Sequence, residues 1–221
     1  SATTYTITGL NGNTSYGPFT LSAVNVQGST PSSALGAQTT PPNPPGLTFT
    51  SATTTSITFA IAAPSTGGQT SYSLAGTGFT TVTGIAAAST TYTLSFTNFP
   101  TNTVALTAAT VYGPFTLTAV SAVGNTNSGT IASVRTAPNA PTLTYTSKTY
   151  NTITFTITPP TGGTQVSYTL SGAGFTTVTG IAASATTYTL NGLNGNTSYG
   201  PFTLTAVGPN ASTASGSVTA Q

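Results

Sequence analysis

Three observations predict an all-β fold built of tandem antiparallel β-sandwiches. The string Tyr-Gly-Pro-Phe-Thr-Leu recurs at residues 16–21, 112–117 and 199–204, each time followed by a short apolar tail, so the chain is an array of repeats. The apolar residues alternate with period two. Ile57, Phe59 and Ile61 are interleaved with Thr58 and Ala60, and Ile153, Phe155 and Ile157 with Thr154 and Thr156. Such alternation, rich in Thr, Ile, Tyr and Phe, marks half-buried strands. No stretch carries helical spacing with caps, so no helices are expected.

The repeats set the domain boundaries. Ser-Ala-Thr-Thr opens the chain and stands again at 184–187, and the residues that follow track each other through the corner Asn-Gly-Asn-Thr-Ser-Tyr. Residues 1–40 therefore read as the back half of a repeat. Residues 41–137 form one complete repeat and residues 138–221 another. The array is expected to be a window on a longer one, or to have its half repeat completed by a neighbouring subunit. The joints, Pro-Asn-Pro-Pro-Gly-Leu at 42–47 and Pro-Asn-Ala-Pro-Thr-Leu at 138–143, align without a gap. Closely spaced prolines make semi-rigid spacers.

Within a complete repeat the strands follow in order. The stretch around Ile153–Ile157 is one, then Tyr168 and Leu170, then Tyr188 and Leu190, then Phe202 and Leu204. Turn clusters such as Ser65-Thr66-Gly67-Gly68 and Thr161-Gly162-Gly163 separate them. About seven short strands per unit make a sandwich with one modest core. The span from Leu94 to Tyr112 is nine residues longer than that from Leu190 to Tyr199. This places an insert near 95–104 that carries Phe96, Phe99, Pro100 and Val104. It reads either as a longer hairpin packing its own aromatics or as a contact loop for a neighbour.

Composition excludes most chemistry. The chain has 221 residues with no Asp, Glu, His, Cys, Met or Trp, and its only charged side chains are Arg135 and Lys148. An ordinary globular domain is roughly 25% charged. General acid–base catalysis needs a group that titrates near the working pH, and the abundant Ser and Thr have no base to activate them, so the chain is expected not to be an enzyme. Zinc wants Cys, His or carboxylate, and calcium sites usually include carboxylates; no metal or cofactor is expected. Lys148 reads as a solvated lysine in the turn after the first strand. Two basic residues make no nucleic-acid patch, and no run reaches the length of a membrane span. The absence of cysteine is neutral on compartment.

Asn13, Asn196 and Asn210 fit the glycosylation acceptor pattern, although turn chemistry alone explains the first two. O-linked sugar on the Thr-rich faces is a further candidate modification.

At these residues the chain resembles fibronectin type III repeats. Asn-Thr-Ile-Thr-Phe-Thr-Ile-Thr-Pro-Pro at 151–160 resembles the family's B strand and its Pro-rich exit, and Thr-Tyr-Thr-Leu-Asn-Gly-Leu at 187–193 resembles the E strand. The pattern Leu-x-x-x-Thr-x-Tyr, at 106–112 and 193–199, resembles the E–F corner. There the resemblance implies that the hydroxyl of Tyr112 or Tyr199, and of Tyr16 in the half repeat, bonds back to backbone. It implies an immunoglobulin-like sandwich of seven strands per repeat. The chain departs from the family in two places. Ile61 and Ile157 stand where the family has a B-strand Trp, and a Gly-Pro pair follows each corner tyrosine, which reads as a bulge. No Arg-Gly-Asp string is present, so integrin-type adhesion does not carry over.

The expected function is a non-catalytic structural repeat that forms a rod, fibre, filament or surface layer outside the cell or on a virion. Natural sheets guard their edges with charge, and this chain has almost none, so self-association or packing against neighbouring subunits is expected. Glycan shielding would also keep neutral sheets apart. The alternative is an adhesin stalk or carbohydrate-binding array, which calls for two or three exposed aromatics on one face. Ice binding by Thr ladders needs a flat array, which a twisted sandwich supplies poorly.

Overall fold

A computed structural model describes residues 3–95 and 105–221. Among these residues every regular element is a strand. Residues 3–40 hold four short ones, β1 (Ser15–Tyr16), β2 (Ser22–Asn25), β3 (Gly28–Pro31) and β4 (Gln38–Thr39). The second unit holds β5 (Gly46–Ala52), β6 (Ser56–Ala62), β7 (Ser71–Gly76), β8 (Val82–Ala86), β9 (Thr91–Ser95), β10 (Val111–Tyr112), β11 (Phe115–Val120), β12 (Thr126–Asn127) and β13 (Val134–Arg135). The third holds β14 (Thr142–Lys148), β15 (Thr152–Thr158), β16 (Ser167–Gly172), β17 (Val178–Ala182), β18 (Thr187–Asn191), β19 (Phe202–Val207) and β20 (Ser212–Ala214).

All pairing is antiparallel. The second unit stacks the sheet β5-β6-β9 on the sheet β12-β11-β7-β8, and the third stacks β14-β15-β18 on β17-β16-β19-β20. This is the three-on-four immunoglobulin-like sandwich that the fibronectin type III resemblance implies. In the second unit the sixth and seventh strands are each split in two, with β10 paired to β13 beyond the β11–β12 pair.

Period-two alternation fills the space between the sheets. Ile57, Phe59 and Ile61 point inward from β6, Tyr72 and Leu74 from β7, and Phe115, Leu117 and Ala119 from β11. The third unit repeats this core with Ile153, Phe155, Ile157, Tyr168, Leu170, Phe202, Leu204 and Ala206. One ring pair crosses from sheet to sheet in each: Phe59 meets Phe115 edge-on at 4.8 Å between centroids, and Phe155 meets Phe202 at 4.8 Å. Edge-to-face packing suits the ring quadrupoles. Ile61 and Ile157 are both buried, so each core closes without a tryptophan.

The outward face of the three-stranded sheet is hydroxyl-lined. Thr58 and Thr93 approach within 3.1 Å through their Oγ1 atoms, Thr154 and Thr189 within 3.0 Å, and Thr146 and Thr156 within 2.9 Å. Cross-strand Thr pairs of this kind stabilise a sheet modestly.

Two expectations change. The Gly-Pro pairs are not simple bulges. The bonds Gly17–Pro18, Gly113–Pro114 and Gly200–Pro201 are all cis, and each glycine has positive φ. No side chain fits there, because a Cβ on Gly113 would stand 2.6 Å from the Phe115 ring and one on Gly200 2.7 Å from the Phe202 ring. Lys148 is not in a turn but ends β14, in register with Ile153.

Candidate functional site

The chain supplies no carboxylate, imidazole or thiol, so the features that bear on function are the corners, the boundaries between units and the exposed faces. The three corners are built alike. Tyr16 Oη accepts from the N–H of Asn11 at 2.7 Å, Tyr112 Oη from Thr107 at 2.8 Å and Tyr199 Oη from Asn194 at 2.8 Å. The motif threonine closes the turn by donating to a carbonyl two residues back: Thr14 to Gly12, Thr110 to Ala108 and Thr197 to Gly195. Between them Asn13, Ala109 and Asn196 take left-handed backbone, with φ of 49°, 59° and 58°. Asparagine tolerates that conformation better than alanine does.

A threonine from the end of the last strand seats itself in the corner. Thr136 Oγ1 donates to Thr107 O at 2.6 Å and accepts from Thr110 N at 3.0 Å. Thr40 Oγ1 donates to Asn11 O at 2.6 Å and accepts from Thr14 N at 3.1 Å. Thr136 is 1% exposed, so both of its bonds are shielded from water. Near the corner of the third unit, Lys148, Tyr150, Asn194, Thr197 and Gln221 line a groove of about 450 Å3.

From these seats the chain passes into the joints. Asn43 Nδ2 donates to Ser65 Oγ at 2.9 Å, and Asn139 Nδ2 donates to Thr161 Oγ1 at 3.1 Å. Each joint is thus tied to the Gly-rich turn of the unit that follows it. Thr126 Oγ1 adds a 2.7 Å bond to Pro42 O. Bonds also cross between units: Asn13 donates through Nδ2 to Thr66 O at 3.1 Å and through its backbone N–H to Pro41 O at 2.9 Å, and Arg135 N donates to Asn210 Oδ1 at 2.9 Å. Arg135 also donates through its guanidinium to Ala109 O at 2.7 Å. One of the two charged side chains is therefore spent on tying a corner to a strand end beside a boundary.

Of the acceptor-pattern asparagines, Asn13 and Asn210 stand at boundaries, each with its amide in a cross-unit bond, and Asn196 lies on the rim of the open groove. Tyr16, Tyr112 and Tyr199 each accept a backbone N–H from five residues back. Phe96, Phe99 and Val104, with Pro100, lie outside the described residues. The exposed tyrosines are Tyr5, Tyr145 and Tyr150, and Tyr150 is 81% exposed beside the groove.

Sequence reasoning missed the bonds of Arg135, the seated Thr40 and Thr136, and a serine just past β3, β12 and β20. Ser32, Ser128 and Ser215 accept from the N–H of Leu21, Leu117 and Leu204 at 3.1, 3.0 and 3.0 Å and donate to the next residue's carbonyl. The signal was available, since each serine follows its corner tyrosine at the same spacing. In a chain so rich in Ser and Thr, that recurrence does not stand out by eye.

No family model matches this sequence, and no curated protein does. Among solved structures the chain is similar to the FN1–FN3 domains of chicken CNTN1, at 17% identity over 91% of this chain and 72% of that one, with a TM-score of 0.43. It is also similar to a segment of two fibronectin type III domains from chicken tenascin, at 21% identity over 81% of this chain and 97% of that one, with a TM-score of 0.39. The fold described above rests on this chain's own strand order.

Proposed function

We propose that the chain is a non-catalytic structural array whose stacked units form a rod within a fibre, filament or surface layer, outside the cell or on a virion. The observation that carries this reading is the construction of the joints. At each unit boundary Asn43 or Asn139 ties a short proline segment to the turn ahead, and one side-chain bond reaches across, Asn13 to Thr66 O and Arg135 N to Asn210. A flexible tether would have Gly and Ser free of such bonds. The uncharged threonine faces support the same reading, because little long-range repulsion keeps copies apart.

A second reading, an adhesin stalk or carbohydrate-binding array, draws on Tyr150, a ring exposed beside a polar groove. Against it, most of the tyrosine and phenylalanine rings lie in or against the two cores.

Electron microscopy of natively isolated material, with intact mass on the same sample, tests the proposal. Ordered polymers with a regular axial repeat are the expected result. Dispersed rods that bind a glycan array would move the assignment to the second reading.

A further inference from the structure

The two joints align in sequence and differ where the units meet. Gly12 stands in the first corner without left-handed backbone, so its missing side chain serves space rather than φ. Asn43 fills that space: a Cβ on Gly12 would stand 2.8 Å from Asn43 N. Gly68 in turn faces Asn13, whose Nδ2 lies 2.8 Å from where a Cβ would be, beside the bond from Asn13 to Thr66 O. The second joint carries side chains at both places. Ala108 corresponds to Gly12, since each carbonyl accepts from the corner threonine. Thr164 corresponds to Gly68, since each precedes the glutamine that bonds Tyr72 or Tyr168. Asn139 grips Thr161 as Asn43 grips Ser65, so it cannot also stand against Ala108 as Asn43 stands against Gly12. The loop that closes over each joint shows the same offset. Gly124 abuts Pro41, with 2.9 Å from a Cβ built on it to the ring, whereas Gly208 abuts Pro138, which aligns with Pro42, at 3.0 Å. Where Ala109 offers no side-chain amide, Arg135 supplies the tie, to Asn210 and to Ala109 O. Thr39 holds the corresponding place in the first joint.

We propose that the corner of one unit and the Gly-rich turn of the next are a matched docking pair that sets the angle between units, and that this chain carries two such pairs of different geometry. Gly12 and Asn13 fit a turn that ends in Gly68. Ala108 and Ala109 fit a turn that ends in Thr164, and Arg135 completes the contact. Mixed pairs fail in the first joint: a side chain at 68 overlaps Asn13, and an alanine at 13 leaves the Thr66 carbonyl without its cross-unit donor. Specificity of this kind uses clashes with the wrong partner as well as contacts with the right one. The pairing deepens the rod reading and can fail while that reading stands, since equal joints also make a rod.

The test transplants the first pair into the second joint of the full chain. Ala108→Gly and Ala109→Asn exchange the corner; Thr161→Ser, Gly162→Thr and Thr164→Gly exchange the turn; Arg135→Thr removes the tie. The chain has no cysteine, so Thr83→Cys and Thr179→Cys, both at exposed positions, place one spin label on each complete unit. The full exchange should move the mean distance between labels by about 3 Å or more and keep a single narrow peak, because a small displacement at a joint is amplified into a rigid-body shift. Exchange of the corner or the turn alone should broaden the peak instead. A second measurement needs no transplant. Ala108 shows that the corner itself accepts alanine, so Gly12→Ala keeps the corner folded and acts on the boundary. Exchange of the Asn13 side-chain amide protons should then quicken about tenfold. A distance unmoved or merely broadened by the full exchange, a full shift from either half alone, or an Asn13 amide indifferent to Gly12→Ala overturns the proposal.

Discussion

The phenolic oxygen of Tyr112 accepts the backbone N–H of Thr107 at 2.8 Å, and Tyr112 is only 4% exposed. Removing the hydroxyl leaves that N–H shielded and unpaired, which costs about 1–3 kcal/mol. Tyr112→Phe should therefore lower the urea midpoint of the second unit, and Tyr199→Phe that of the third. Tyr16→Phe should have a smaller effect, because Asn11 is exposed and water can replace the lost acceptor.

Ala109 holds φ of 59° where the other two corners have asparagine. A left-handed alanine is disfavoured, and asparagine is less so. Ala109→Asn is expected to stabilise the second unit by about 0.5–1 kcal/mol. Arg135 bonds to the carbonyl of residue 109, which the substitution retains. Calorimetry on the single variant gives the sign directly.

Leu117 is 0% exposed between the sheets of the second unit. Leu117→Ala opens a cavity there and should cost about 2–5 kcal/mol. A thermal melt of the variant checks this.

Stability should be insensitive to acid and fail only in strong alkali. No side-chain carboxyl or imidazole exists to protonate. Burial raises the phenols of Tyr72 and Tyr168, each offset in part by a hydrogen bond from Gln69 or Gln165, and pushes Tyr92 up to about 12. A tyrosine with a raised folded pKa stabilises the fold fully below its unfolded pKa, near 10, and loses that contribution as pH rises through the folded value. Denaturant midpoints should be flat from about pH 4 to 9 and decline between about pH 10 and 12.

Most of the fold was legible because its signals are local. Alternation about Phe59 and Phe155 sets which face is buried, and the Leu-x-x-x-Thr-x-Tyr string encodes a corner closed within a few residues. What escaped notice depends on pairs distant in sequence. Thr136 reaches back to Thr107, and Asn210 reaches across to Arg135, bonds that no window of alternation contains. The Gly-Pro pairs were visible as interruptions, but their geometry depends on the Phe115 and Phe202 rings packed against the glycines.

Sedimentation velocity across a wide concentration range, in plain buffer at neutral pH, tests the structural assignment most directly. A chain with clasped joints and uncharged threonine faces should shift to larger species as concentration rises, and added salt should change this little, since only two side chains are charged. A single monomeric boundary at every concentration would contradict the account.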